Sequence, residues 1–364
     1  MKNKTAIGIL MNALDMGGAE KQSLLLAKLM GSEFDVHYIV QKKKPQLKQH
    51  LDFIEREKIN YIQLSGNIIF RIIQLNTYIK KNRIKVLFAF LTLDNVLASF
   101  VSVFQKIIYI GGVRSSYLPI VKFYITWFLQ KYFLDYLIFN NHYGRDIFIK
   151  KGFSSSKSLV IQNCINNIQK GIIRPDRKTI KILSVGRFTT QKDYLTALKT
   201  ILLLRSRIYE KEIEYTIVGD GELYQQIQTW INDLKLSNVT IVRNPDKIED
   251  YYNEADIYFL SSISEGMPNS IMEALNYSLP VVSTDVGDAN YLVKDGINGF
   301  LVPSKDSKRL AEKLSELVSD SNKRIAFGIN GHSLLIREFS EKKLLEEYKN
   351  FTEKIILNEY QKNE

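Results

Sequence analysis

The chain predicts an α/β protein of two doubly wound domains, on three observations. From residue 180 onward, short apolar runs alternate regularly with helical stretches, and continuous apolar strands separated by helices mean a parallel sheet covered on both faces. The first half shows the same alternation less cleanly. A length of 364 residues with 45% hydrophobic content can bury two sizeable cores.

Taken in order, the N-terminal MKNKTAIGILMNALDMGGAE sets basic residues before an apolar run, as a secretory signal does. The run is short, with Asn12 and Asp15 close behind, so it reads as a first strand. TAIGILMN, DVHYIV, NYIQL, KVLFAF, IYIGGV and YLIFNN are the strand candidates of the first half. Residues 86–104 have nearly the length of a membrane span, but Thr92, Asp94 and Asn95 sit at their centre. An ionised Asp at mid-membrane costs about 2.5–3.5 kcal/mol. A strand (86–91), a polar turn and a helix (95–105) are expected instead.

Residues 165–179, with Gly171 and Pro175, are the expected linker. It separates an N-terminal domain (1–168) from a C-terminal one (178–340), followed by a helix at 341–364 expected to pack back on the first. In the second domain KILSVG, YTIVGDG, NVTIV, DIYFLSS, LPVVSTD and NGFLVPS are strands. Helices fall at 193–208, 222–236, 246–254 and 306–320, with one more opening at the SIMEAL run.

One cysteine, Cys164, can make neither an internal disulfide nor a metal cluster, which suits a reducing cytoplasm. The charge is lopsided. Residues 1–176 carry 25 Lys+Arg against 11 Asp+Glu, a net of +14, whereas the remainder carries −3. The basic half is expected to meet something anionic. No helix-turn-helix, zinc-finger or RRM signature is present, so nucleic acid is not the expected partner. A phosphorylated lipid or the anionic cytoplasmic leaflet fits the charge, and so does a plain Lys-rich composition on a solvated face. The stretch LPIVKFYITWFLQKYFLDYLIF, residues 118–139, adds Phe123, Tyr124, Trp127 and Phe128 at helical spacing beside Lys122 and Lys131. An aromatic, basic helix can lie at a membrane surface, or pack on its own sheet.

Ligands of doubly wound folds sit at the carboxyl ends of the strands, where the motifs of this chain fall. MNALDMGGAEKQ is not G-x-G-x-x-G, so the dinucleotide fingerprint is missing. Gly17 and Gly18 still precede a helix beginning near Ala19, where backbone can approach a bound group and free helix amides can meet an anion. An ordinary glycine-rich turn would read the same. In SVGRFTTQKDYL, Arg187 and Lys192 stand five apart around a strand-to-helix turn. A guanidinium fork and an ammonium there suit a diphosphate, and two solvated cations are the bland alternative.

ISEGMPNSIMEAL sets Glu265 and Glu273 eight apart around Gly266, Met267, Pro268, Asn269 and Ser270. Ser270 and Glu273 have the S-x-x-E spacing of a capping box, which would give Glu273 a purely structural role. Glu265 has no such role. Its Gly-Pro turn can wrap a polyhydroxyl ligand and hold a phosphate. His142, in FNNHYGRD, reads as a strand-end polar residue, with a catalytic role as the alternative.

With these motifs the chain resembles the retaining, nucleotide-sugar-dependent glycosyltransferases of family 4, which have the GT-B fold: two Rossmann-like domains facing across a cleft. The resemblance rests on E265-x7-E273, GGAE, SVGRFTTQKD, IVGDGEL, LPVVSTDVG and DGINGFLVP in order, strongly over residues 180–320 and reasonably over 5–30. It implies that Glu265 binds donor-sugar hydroxyls with the Gly266–Asn269 backbone, and that Glu273 holds the ribose. It further implies that Arg187 and Lys192 neutralise the diphosphate, that Gly17 and Gly18 meet the phosphates, and that Arg243 and Asn244 border the base. The mid-domain histidine of many relatives is missing from FAFLTLDN, so Asp94 or Asn95 is the candidate acceptor contact in its place.

The resemblance implies a hexose or N-acetylhexosamine passing from a nucleotide sugar, UDP first, to a saccharide or polyprenyl-diphosphate-linked acceptor in capsule, O-antigen or exopolysaccharide synthesis. No Asp-x-Asp occurs in the chain, so neither metal nor cofactor is expected. The expected place is the cytoplasm, with peripheral contact to anionic inner-membrane lipid. A GT-B-like epimerase and a catalytically silent nucleotide-sugar-binding subunit are the alternatives.

Overall fold

The computed structural model describes residues 4–14, 18–41 and 47–363. The chain divides into two compact units, Met1–Asn166 with Glu341–Glu364, and Asn167–Ser340.

The first unit has seven strands: β1 (Ala6–Met11), β2 (Asp35–Val40), β3 (Asn60–Gln63), β4 (Val86–Ala89), β5 (Ile108–Val113), β6 (Tyr136–Phe139) and β7 (Ser158–Val160). They form one sheet in the order β3-β2-β1-β4-β5-β6-β7, parallel throughout. The helices between them are α1 (Gly18–Met30), α2 (Lys48–Arg56), α3 (Ile68–Lys81), α4 (Thr92–Ser102), α5 (Ile120–Tyr132) and α6 (His142–Lys150). β1 is central and every one of its residues is buried, which is why its sequence is apolar without alternation. The order reverses between β1 and β4, so helices before and after that point cover opposite faces.

The second unit repeats the plan with six strands. They are β8 (Thr179–Val185), β9 (Glu212–Gly219), β10 (Val239–Arg243), β11 (Ile257–Leu260), β12 (Val281–Thr284) and β13 (Gly299–Val302). Their order is β10-β9-β8-β11-β12-β13, again all parallel. Its helices are α7 (Tyr194–Arg205), α8 (Tyr224–Asp233), α9 (Ile248–Glu254), α10 (Asn269–Asn276), α11 (Ala289–Leu292), α12 (Ser307–Ser319) and α13 (Ser321–Glu338). Asp193, Asp306 and Asp320 cap α7, α12 and α13 through side-chain bonds to backbone N–H groups. Each such cap stabilises its helix by about 1 kcal/mol.

The last helix, α14 (Glu341–Asn363), belongs to the first unit. It packs on α1 and adds Leu344, Tyr348 and Ile355 to that core face. The Tyr348 ring meets Phe88 edge-on at 5.7 Å, and Lys349 pairs with Glu33 at 2.7 Å.

Three expectations are revised. The aromatic stretch 118–139 is not one helix: α5 ends at Tyr132, and Tyr136–Phe139 is a buried strand, because Leu137 to Phe139 fill the core. Residues 165–179 are not a free connection from 169 onward. Gln169 N–H donates to Asn276 Oδ1 (2.9 Å), Ile172 N–H to Ser278 Oγ (3.1 Å), and the Arg174 guanidinium to the Tyr277 and Tyr252 carbonyls. Asp94 and Asn95 do not reach the surface. Both are fully buried: Asp94 accepts from Gln41 Nε2 (2.6 Å) and Leu91 N–H (2.9 Å), and Asn95 exchanges two bonds with the Gly112 backbone. In this structure they tie α4 to the strand ends.

Candidate active site

The carboxyl ends of β8, β9, β10 and β11 carry the polar residues singled out in the second half. β8 and β11 pair only through Ile182 and Leu183, and the chain diverges beyond them into two loops. The first loop holds Arg187 and a 3-10 turn, Thr190–Lys192, that ends at Asp193 in a left-handed conformation (φ 48°). The second runs from Ser261 to Pro268 and enters α10.

Lys192 folds back over Gly186, where a Cβ would lie 2.9 Å from its Cε. Its ammonium reaches across to the second loop and meets Glu265 Oε1 at 2.6 Å. Ser262 Oγ donates to the same oxygen at 2.7 Å, and the Ser262 carbonyl in turn accepts from Thr284 Oγ1. The two charged side chains retain only 16% and 10% of their exposure, so little water screens the pair. Among the described residues nothing bonds Oε2 of Glu265, so this oxygen is available to accept from a ligand hydroxyl. Arg187 is exposed and pairs with no carboxylate among the described residues.

The turn after Glu265 is fixed from beneath. Asp288 N–H donates to the Gly266 carbonyl (2.8 Å), and Gly287 sits at φ 57° with its Cα against the carbonyls of Glu265 and Gly266. Any Cβ at Gly287 would collide with both, which explains a glycine there. Met267 and Pro268 are buried beneath the turn, and Asn269 is exposed at the start of α10.

The capping-box expectation fails. α10 starts at Asn269, its cap position is Pro268 with no side-chain bond, and Ser270 lies inside the first turn. Glu273 instead accepts from the Tyr252 hydroxyl on α9 at 2.7 Å. Burial, with the Glu273 carboxylate adding to it, pushes the Tyr252 phenol far above its ordinary range, so it remains a donor. The ring is held between neighbours, stacked on Tyr277 at 5.4 Å.

Arg243 and Asn244 end β10 and converge on Asp220, which follows β9. Arg243 Nε lies 2.9 Å from Asp220 Oδ1 and Asn244 Nδ2 2.7 Å from Oδ2. The guanidinium also sits 4.4 Å from the centre of the Tyr224 ring. These bonds, with one from the Gly221 N–H, hold the Asp220 carboxyl down to about 2.

The structure thus gathers Arg187, Lys192, Glu265, Gly266–Ser270, Glu273, Arg243 and Asn244 at one edge of one sheet. Sequence reasoning missed Ser262, Tyr252 and Asp220, although the SSISEG and GDG runs contained two of them. In the first unit, Gly18 begins α1 at the end of β1 with open space where a Cβ would be, and Gly17 lies outside the described residues. His142 is the first residue of α6, just after its Asn141 cap. Among the described residues no three His, Cys, Asp or Glu side chains group as a metal site.

The two parallel-sheet α/β domains place the chain in the GT-B class. The Anabaena HepE structure in complex with UDP is similar in fold, with a TM-score of 0.81 and 16% identity over 96% of this chain and 100% of that one. Residues 166–333 match the family described as Glycosyl transferases group 1. The amylovoran biosynthesis glycosyltransferase AmsK of Erwinia amylovora is 35% identical over 38% of this chain and 36% of its own length. A Campylobacter jejuni relative is 24% identical over 87% of this chain and 90% of its own. That protein is named GalNAc-alpha-(1->4)-GalNAc-alpha-(1->3)-diNAcBac-PP-undecaprenol alpha-1,4-N-acetyl-D-galactosaminyltransferase. The chain spans half or less of the length of several other curated relatives that it matches.

Proposed function

We propose that this protein is a retaining glycosyltransferase that moves a hexose or N-acetylhexosamine from a UDP-sugar to a lipid-linked saccharide in cell-surface polysaccharide synthesis. The observation that carries it is the enclosed Lys192–Glu265 pair, whose Oε2 has no bond among the described residues, with Arg187 exposed on the same loop as Lys192. Departure of a nucleoside diphosphate leaves its electron pair on phosphate oxygen and positive charge on the sugar ring. Arg187 and Lys192 stabilise the first, in a site where charges are already oriented and little reorganisation is needed. Glu265 Oε2 accepts from sugar hydroxyls, and Glu273, steered by Tyr252, accepts from the ribose. Arg243 and Asn244 border the base.

In this reading the acceptor oxygen attacks the anomeric carbon from the face the diphosphate leaves. Its proton passes to the departing phosphate oxygen, so no protein nucleophile or divalent metal takes part. The lipid portion of the acceptor brings the enzyme to the inner face of the cytoplasmic membrane as a peripheral protein. The C. jejuni relative's name, with its PP-undecaprenol acceptor, supports that choice. So does the basic first half. An epimerase would need acid-base groups beside the sugar, and the one histidine of the second unit, His332, instead bonds the Gln169 carbonyl.

The test is turnover of a panel of UDP-sugars, with EDTA present, on polyprenyl-diphosphate-linked saccharides. An α-linked product from an α-linked donor is expected. An epimerised sugar formed without acceptor, or binding without any product, would replace the transferase reading with one of its two rivals.

A further inference from the structure

The face of the first unit formed by α3, α4 and α5 is apolar where it should be wet. Of the 27 large hydrophobic side chains exposed among the described residues, 15 lie between Ile68 and Tyr132. On α3 these include Ile69, Phe70 and Ile73, each more than half exposed. Phe100, Val103 and Phe104 project from the end of α4, and Tyr124, Phe128 and Tyr132 from α5. The three helices are neighbours, α4 touching both others, and Gln105 bonds Asn76 at 2.9 Å to close the α3–α4 seam. Their inward sides are already satisfied: Leu75, Leu97, Val101 and Leu129 fill the sheet core, and Phe123 packs on Phe148 and Phe153 at 5.2 Å each. The outward residues are therefore surplus to folding, and a contiguous apolar surface of this kind marks an interaction site.

Charge decides what covers it. Residues 64–134 contain nine Lys and Arg and a single acidic residue, Asp94, which is fully buried. Lys122 and Lys131 lie on α5 itself, and the Lys131 ammonium rests 5.1 and 5.2 Å from the Trp127 and Tyr132 ring centres. A second copy of this chain would set like charge against like charge, with no exposed acid on the three helices to relieve it. Anionic headgroups meet the cations while the apolar side chains enter the acyl boundary, with aromatic rings and snorkelling lysines at the level between.

We infer that α3, α4 and α5 together form one membrane-seating surface, and that its occupant is an anionic phospholipid leaflet. The inference rests on the peripheral-membrane part of the proposed function and adds the surface that performs it. No described helix is long and apolar enough to cross a bilayer, so the seating is lateral.

The test is sedimentation with vesicles of phosphatidylcholine alone or mixed in equal parts with phosphatidylglycerol. The full chain is expected to pellet with the mixed vesicles, stay in solution with the neutral ones, and be released by high salt. Phe70→Ser on α3, Phe104→Ser on α4 and Phe128→Ser on α5 should each lower partitioning about tenfold, the loss of one buried aromatic side chain. Unchanged melting temperatures and UDP affinity would show that these variants are folded. If only the Phe128→Ser and Lys122→Glu/Lys131→Glu variants lose binding, the three-helix surface is wrong and peripheral attachment stands. If the unaltered chain ignores both vesicles, attachment and surface fall together. A dimer dispersed by the same serine substitutions would assign the face to a second copy and overturn the inference.

Discussion

Lys192 and Glu265 meet at 2.6 Å although 73 residues separate them, and the bond uses only Oε1 of the carboxylate. Ser262 occupies the same oxygen. Among the described residues nothing bonds Oε2, and the ammonium belongs to the same loop as Arg187. The ion pair joins the β8 and β11 loops, and in the proposed reading it also presents charge of both signs to the donor.

Glu265→Gln should preserve the fold and lower turnover by about a hundredfold or more, the usual cost of one charge-stabilising contact. The amide still accepts from Ser262, so the loop keeps one of its anchors. Initial rates with the true donor, beside a melting curve, check it. Turnover equal to that of the unaltered enzyme would remove Glu265 from the site.

Arg187→Ala and Lys192→Ala should part company in stability. Arg187 is exposed and pairs with no carboxylate among the described residues, so its loss should change stability by less than about 0.5 kcal/mol while depressing turnover. Lys192→Ala strips the partner from an enclosed carboxylate, and a cost of about 1–3 kcal/mol is expected, below that of a fully buried pair. Urea unfolding of both variants measures the difference. Equal stabilities would mean that the Lys192–Glu265 bond holds nothing in solution.

Tyr252→Phe removes the donor that orients Glu273 without changing the stacked ring. The KM for donor and the Kd for UDP should each rise about tenfold with kcat little changed, as for a lost bond to a charged group. UDP affinity equal to that of the parent would separate Glu273 from the ribose.

Asp220 supplies a pH signature. Its carboxyl is held below its ordinary 3.8, at about 2, chiefly by Arg243 and then by Asn244. A depressed carboxylate stabilises the fold above its unfolded value, and the contribution is lost as pH falls through the folded one. The stability gap between the parent and Asp220→Asn should be constant at neutral pH and close only between about pH 4 and pH 2. A gap that closes near neutrality would assign the effect to another group.

Much of this was legible in the chain. A parallel sheet needs continuous apolar strands, so TAIGILMN, KVLFAF, DIYFLSS and LPVVSTD could be placed without coordinates, and the bends after them marked the edge that carries the candidate site. Glu265 was legible because a carboxylate in a Gly-Pro turn has no local partner. Glu273 was not: S-x-x-E spacing predicts a capping box with Ser270 as cap, and the helix begins two residues earlier than that, at Asn269, putting Ser270 out of register.

The sequence alone determined what depends on neighbours along the chain: two doubly wound domains, their strand order in time, the glycines at turns, and the residue types at the strand ends. Only the tertiary structure decided what depends on neighbours in space. Tyr252 reaches Glu273 from 21 residues away, through a helix whose sequence carries no mark of that duty. Asp94 and Asn95 look like surface polars between apolar runs, yet they are buried against Gln41 after β2, Leu91 after β4 and Gly112 of β5. Phe123 and Phe128 are alike in the sequence, and one fills a core while the other faces solvent. Helical phase and sheet packing make that division, and neither is written in the spacing of two phenylalanines.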